Sequence, residues 1–277
     1  MSKTFVLGIG APKSGTTWLH SYLASMPGFA RGFQKEYHIW DAVHVPEARR
    51  FLVGEGRPIL AASQLLRREM QRHPSAYFDY FSTLFKQDGA THAADITPSY
   101  CALSGGQLAS IYDGLCSRGL DVRIVFLMRD PVERCWSMLR MFRADIGLQK
   151  VHANLDYSRD DDQLLLEYAI SDNARVRTRY DLTLASLGES GIPLRNIHVG
   201  FYETMFEDAP LAELSNFLGV HYRPALAKQK VHVSPRTNDI SDETRKKVAL
   251  LYSNVYEKVA IRFPLTRRIW SGYGYID

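Results

Sequence analysis

A chain of 277 residues, 45% hydrophobic and 23% charged, has the composition of a soluble globular protein and the length for one large domain or two small ones. Its formal charge of +4 suits an anionic ligand but is too small and too dispersed to argue for nucleic acid, and no apolar stretch is long enough for a membrane span. Three cysteines, Cys101, Cys116 and Cys135, with no C-x-x-C pair, point to a reducing compartment and to neither a disulfide framework nor a zinc site.

The N-terminus lacks the apolar length and the cleavage site of a secretory signal, and no Ser-, Gly- or Pro-rich linker or repeat interrupts the chain. One domain over 1–277, in the cytoplasm, is the expectation. "TFVLGIG" (Thr4 to Gly10) is an apolar run rich in β-formers and reads as a buried strand. A loop from Gly10 to Gly15 follows. "TTWLHSYLASM" (Thr16 to Met26) then has helical spacing and stops at Pro27 and Gly28. The two glycines have the separation of a nucleotide-triphosphate loop, G-x-x-x-x-G-K-[ST]. Thr16 stands where that loop has its lysine, and the lysine present, Lys13, sits inside the loop. Unpaired N–H groups and the dipole at a helix N-terminus attract anions. Ser14, Gly15, Thr16 and Thr17 would line such a site, with Lys13 adding a full charge.

"KEYHIWD" (Lys35 to Asp41) follows the first helix. Arg50 to Phe85 has helical periodicity and many aromatics. Of these, Tyr77, Phe78, Tyr80, Phe81 and Phe85 either form a core stripe or line a ligand pocket. "ADITPSY" (Ala94 to Tyr100) places Asp95 before a Pro98 turn. "VRIVFLM" (Val122 to Met128) is a second buried strand ending at Arg129. Asp130 is a good N-cap, Pro131 fits the first helical position, and Glu133 has the spacing of a capping box. Leu164 to Leu187 reads as mostly helical, Ile197 to Glu203 as a strand, Asp208 to Gly219 as a capped helix, and Ser241 to Ala260 as an amphipathic helix.

Strands alternating with helices predict an α/β fold, P-loop-like and three-layered, with a central parallel sheet flanked by helices. Ligands bind such folds beyond the carboxyl ends of the strands, where both the Gly10–Gly15 loop and Arg129 lie. A nucleotide triphosphatase would hold magnesium with the residue after its loop lysine and with an acid at a second strand end. Arginine at that strand end points instead to anion recognition without a metal.

"PKSGTTWL" (Pro12 to Leu19) and "RDPVERCWSML" (Arg129 to Leu139) together resemble two motifs of sulfotransferases that use 3'-phosphoadenosine-5'-phosphosulfate (PAPS). The resemblance implies that the first holds the 5'-phosphosulfate and that Arg129 and Ser137, eight residues apart, bind the 3'-phosphate. It implies that Lys13 contacts the bridging oxygen of PAPS, and that 3',5'-ADP is the product. "KEYHIWD" resembles the stretch that carries a glutamate base in the carbohydrate and membrane-type branch, which makes Glu36 the candidate base and His38 its competitor, otherwise a support or acceptor contact. "ADITPSY" resembles an acceptor-side stretch of the family, with Asp95 in place of Glu and Ile96 in place of a lysine; Asp95 and Tyr100 are acceptor-side candidates, and the loss at Ile96 argues against a highly acidic polysaccharide. "KVHVSPRTND" (Lys230 to Asp239) matches a basic loop over the nucleotide, with Arg236 as a second 3'-phosphate contact and Ser234 and Lys230 behind it. Tyr202 lies near the adenine or in the core, and Trp18 and Trp136 stack on adenine or fill core positions.

The implied activity is transfer of the sulfuryl group to a hydroxyl or amine of a small-molecule, lipid or glycan acceptor, with no metal and no nucleic acid. Two rivals remain: an ATP/Mg-dependent small-molecule kinase of the P-loop type, and a nucleotide-binding protein without a base.

Overall fold

The computed structural model describes residues 3–54, 59, 61–227 and 239–276. Lys230, Ser234 and Arg236 lie outside the described residues.

β1 (Thr4–Gly10) is buried along its whole length, as its unbroken apolar run requires of an inner parallel strand. β2 (His92–Ile96) and β3 (Asp121–Met128) flank it, and β4 (Ile197–Phe201) pairs with β3. The sheet order is β2-β1-β3-β4 and every pairing is parallel. Helices alternate with these strands. α1 (Thr16–Ala24) leaves β1, and α2 (Trp40–His44), α3 (Ala62–Arg72) and α4 (Pro74–Leu84) precede β2. α5 (Gly105–Cys116) connects β2 to β3. α6 (Pro131–Ala144), α7 (Ile146–Val151), α8 (Asp161–Ile170), α9 (Asp172–Thr178) and α10 (Tyr180–Glu189) fill the span to β4. α11 (Asp208–Leu218), α12 (Pro224–Ala227), α13 (Asp242–Leu251), α14 (Ser253–Arg262) and α15 (Thr266–Ile269) complete the chain. Among the described residues, no helix is long and apolar enough to cross a membrane.

Alternation along the strands gives each face of the sheet its own core. Phe5, Leu7 and Ile9 of β1, with Ile124, Phe126 and Met128 of β3, belong to the larger one, under α4, α5, α6 and α8. Val6, Val125 and Leu127, with Ala94 and Ile96 of β2, belong to the smaller one, under α1 and α11. The predicted architecture of a parallel sheet covered on both faces is therefore the observed one. Gly8 is required at its place in the smaller core, since a Cβ there would stand 2.7 Å from Ile96 Cγ2. Ile96 thus points into the interior, and its identity carries no information about the charge of an acceptor.

Several local expectations are corrected. β2 is a strand that periodicity did not reveal. The Leu164–Leu187 stretch breaks into α8, α9 and α10, with Ser171 capping α9 by accepting from Ala174 N–H. The Ser241–Ala260 helix breaks at Tyr252, whose hydroxyl donates to the Ala169 carbonyl. Asp130 caps α6 as predicted, accepting from Val132 N–H at 2.9 Å, but the capping box does not form. Asp130 N–H donates to Glu203, while Glu133 pairs with Arg245 at 2.7 Å and with Arg129 at 3.5 Å. The aromatics Tyr77, Phe78, Phe81 and Phe85 form a core stripe, with Tyr80 at its edge.

Candidate active site

The Pro12–Gly15 turn links the carboxyl end of β1 to α1. Gly15 is the N-cap, with φ 92, and no side chain caps the helix. The left-handed φ of Gly15 favours glycine, and a Cβ there would lie 2.6 Å from Met205 Sδ in the segment after β4. Ser14 Oγ is buried and has no hydrogen-bond partner, as expected of a loop hydroxyl awaiting an anionic oxygen. Thr16 is buried and Thr17 is half-buried.

Arg129, at the end of β3, reaches this loop: its Nη1 donates to the Lys13 carbonyl at 3.2 Å, and its guanidinium lies 4.4 Å from the centre of the Tyr202 ring. Tyr202 therefore stands at the rim of the loop, half-buried, rather than wholly within a core. Lys13 Nζ lies 3.6 Å from Met141 Sδ on α6. Ser137, buried one turn earlier on α6, shares that helical face. Burial, then the charges of Arg129, Arg140, Arg134 and Lys35, lower the Lys13 pKa to about 8. Crowded cations of this kind are relieved by an anion.

The second half of the site is a chain of contacts running from the loop to Glu36 and His38. Lys35 Nζ donates to Thr17 Oγ1 at 3.0 Å and to Glu36 Oε1 at 2.7 Å. Glu36 Oε2 lies 3.3 Å from His38 Nε2, and His38 Nδ1 lies 2.7 Å from Asp41 Oδ2. The Glu36 side chain retains 36% of its surface, so an acceptor can reach it. Against partial burial, His38 and Lys35 hold the Glu36 carboxyl at about 2, which leaves it ionised throughout the neutral range. Against burial of the imidazole, the hydrogen bonds to Asp41 and Glu36 raise the His38 pKa. Among the described residues, Lys13 (φ 69) and His38 (φ 53) are the two non-glycine residues with positive φ. Left-handed backbone is costly for such residues, and strain of this kind concentrates where a side chain must be aimed.

The acceptor-side candidates His38, Asp95 and Tyr100 are all buried. His38 has a carboxylate at each ring nitrogen, Glu36 at Nε2 and Asp41 at Nδ1. Asp95 and Tyr100 are fully buried. Asp95 accepts from the hydroxyls of Thr97 at 2.6 Å, Tyr100 at 2.9 Å and Tyr77 at 3.0 Å. Thr97 Oγ1 in turn accepts from Tyr37 N–H at 2.9 Å, and Tyr100 OH from Ile39 N–H at 3.2 Å. Asp95 thus fixes the backbone on either side of His38 from beneath. Trp18 is likewise a core residue: it stacks on Tyr22 at 5.0 Å, meets Phe206 edge-on, and donates its indole N–H to the Leu226 carbonyl. Trp136 is buried in the larger core.

Lys35, Asp41 and Thr97 were missed as site residues. Lys35 and Asp41 stand in the quoted "KEYHIWD", and the i,i+3 spacing of His38 and Asp41 was the available signal.

A model of the Sulfotransferase family matches residues 6–224. No curated protein matches the chain. Among solved structures, a sulfotransferase from Alicyclobacillus acidocaldarius is 17% identical, with 94% of this chain and 96% of that one covered and a TM-score of 0.55. A mouse sulfotransferase complexed with PAP is 14% identical, with 97% and 89% covered and a TM-score of 0.51. At these identities the two structures show a shared fold. The family match spans β1, the Lys13 loop, Glu36 and Arg129, the same elements that the structure gathers into one cation-rich site, and this chain belongs to the Sulfotransferase family.

Proposed function

We propose that the protein transfers the sulfuryl group of PAPS to a hydroxyl or amine, with Glu36 as general base. The single observation that carries this reading is the contact between Arg129 and Lys13 in one cation-rich site, joined through Thr17 and Lys35 to an ionised, accessible Glu36. The phosphosulfate lies on the Lys13–Thr17 turn, and the 3'-phosphate lies at Arg129 and Ser137. The acceptor oxygen attacks sulfur in line as its proton passes to Glu36. The sulfur–oxygen bond to the 5'-phosphate breaks, and the electron pair leaves on the phosphate of 3',5'-ADP, where Lys13 stabilises the growing charge. Both Glu36 oxygens are engaged before the acceptor arrives, so the acceptor displaces Lys35 or His38 from one of them.

Two measurements test this. At a hundredfold excess over its Kd, 3',5'-ADP should stabilise the protein by about 2.7 kcal/mol, a rise in Tm on the order of 5 °C. ATP with Mg²⁺ should do much less; the reverse order would favour a P-loop kinase. Glu36→Gln should lower kcat for sulfuryl transfer by about 10²–10⁴-fold while leaving the 3',5'-ADP shift intact. Undiminished turnover would remove Glu36 from its role.

A further inference from the structure

We propose that Arg245 is a positioning residue for 3'-phosphate recognition: it neutralises Glu133, so that the charge of Arg129 is left for the phosphate. The inference rests on the reading of Arg129 and Ser137 as the 3'-phosphate ligands, and Arg245 acts on them through Glu133. Glu133 stands in the first turn of α6, four residues after Arg129 and four before Ser137. The helix dipole favours an acid in that turn. The same spacing sets the acid on the helical face that carries Ser137, between the two residues assigned to a phosphate dianion.

Glu133 Oε2 lies 3.5 Å from Arg129 Nη2, longer than a well-formed charged hydrogen bond. Its Oε1 accepts from Arg245 Nη1 at 2.7 Å. The carboxylate is therefore held by Arg245 more closely than by Arg129. Among the described residues, Glu133 is the acid in ion-pair contact with Arg129, whose Nη1 donates to the Lys13 carbonyl. The side chains of Arg129, Glu133 and Arg245 retain only 10%, 16% and 14% of their surface, so water screens these charges poorly. Arg245 is delivered by α13, which packs on α6. It also meets Asp239, whose side chain is 65% exposed and whose charge is correspondingly screened. Without Arg245, the carboxylate would oppose a phosphate twice: by repelling it, and by closing on the Nη2 edge of Arg129 that the phosphate needs.

The test compares 3',5'-ADP with AMP, which lacks the 3'-phosphate, by titration calorimetry at constant ionic strength. The readout is the ratio of the two Kd values, which a merely structural defect would leave in place because it weakens both ligands. Arg245→Gln should cut the preference for 3',5'-ADP about tenfold with the Kd for AMP unchanged, and Arg245→Lys, which keeps the charge, should retain most of it. Combining Glu133→Gln with Arg245→Gln should restore the wild-type ratio, because the acid that needed a counter-charge is gone. An unchanged ratio in Arg245→Gln, or a double variant no better than the single one, overturns the proposal. If Arg245→Gln does not fold, Glu133→Gln carries the test: it should raise the preference, and an unchanged or lower ratio overturns the proposal. A wild-type protein with no preference for 3',5'-ADP over AMP instead overturns the donor reading, and this inference with it.

Discussion

Asp95 shows how a side chain far from any surface can hold the backbone that follows Glu36. Its two oxygens accept three hydroxyl hydrogen bonds, and two of those hydroxyls hold the backbone N–H groups of Tyr37 and Ile39. Burial pushes its carboxyl up to about 6, against those hydrogen bonds, so it is ionised at neutral pH. Asparagine presents an amide donor to one side of this cluster, where every partner is a donor. Asp95→Asn should destabilise the fold by about 2–4 kcal/mol in urea unfolding and lower kcat, with the 3',5'-ADP shift retained. An unchanged kcat in the folded variant would show that the Tyr37–Ile39 backbone does not need this support. The role of Asp95 was not legible in "ADITPSY". The sequence offered an acid before a proline, and only the pairing of Leu7 with Asp95 across the sheet shows that the strand carries this side chain inward.

At the scale of elements, α6 carries Arg129 at its entrance and Ser137 within it, and its position depends on Asp130. Besides capping Val132 N–H, Asp130 accepts from Tyr256 OH at 2.7 Å, Gly272 N–H at 2.8 Å and Ser271 Oγ at 3.2 Å. The cap alone is worth about 1 kcal/mol, and stranding the other donors adds their desolvation cost. Asp130→Ala should therefore destabilise the protein by about 3 kcal/mol or more and weaken 3',5'-ADP binding, as measured by urea unfolding and titration calorimetry. Equal stability would mean that the C-terminal residues find other partners. Element ends were the weak part of the sequence reading for a related reason. Helical periodicity continues across Ser171, Arg179 and Tyr252, whereas the breaks come from a cap and from tertiary anchors such as the bond from Tyr252 to the Ala169 carbonyl. β2 was hidden because "HAADI" has few β-branched residues and takes its order from β1.

For the whole molecule, the C-terminal segment closes over the ends of β3 and β4 through Glu203. This carboxylate accepts from Asp130 N–H at 2.9 Å and from Trp270 Nε1 at 3.1 Å. Burial, with the Asp130 charge adding to it, pushes its pKa up to about 7. Between the unfolded value near 4.5 and the folded value near 7, the native state keeps a proton that the unfolded chain has released. The stabilisation is complete below the lower value and is lost as pH rises through the upper one, an effect on the order of 3 kcal/mol. Urea midpoints at pH 5 and pH 8 should show this loss in the wild type and a smaller one in Glu203→Gln. Identical pH dependence in the two proteins would assign the effect to other groups.

The sequence by itself determined the strand–loop–helix unit around Lys13, the strand end at Arg129, the cap at Asp130 and the candidate base at Glu36, because each is written in neighbouring residues whose spacing and chemistry are local. Only the tertiary structure decided that Arg129 touches the Lys13 loop, that Asp95 and Tyr100 look inward, and that Lys35 joins Thr17 to Glu36. Those outcomes depend on strand register and on helices packing across the sheet, where residues distant in the chain meet and electrostatic energies are set by burial that no local pattern encodes.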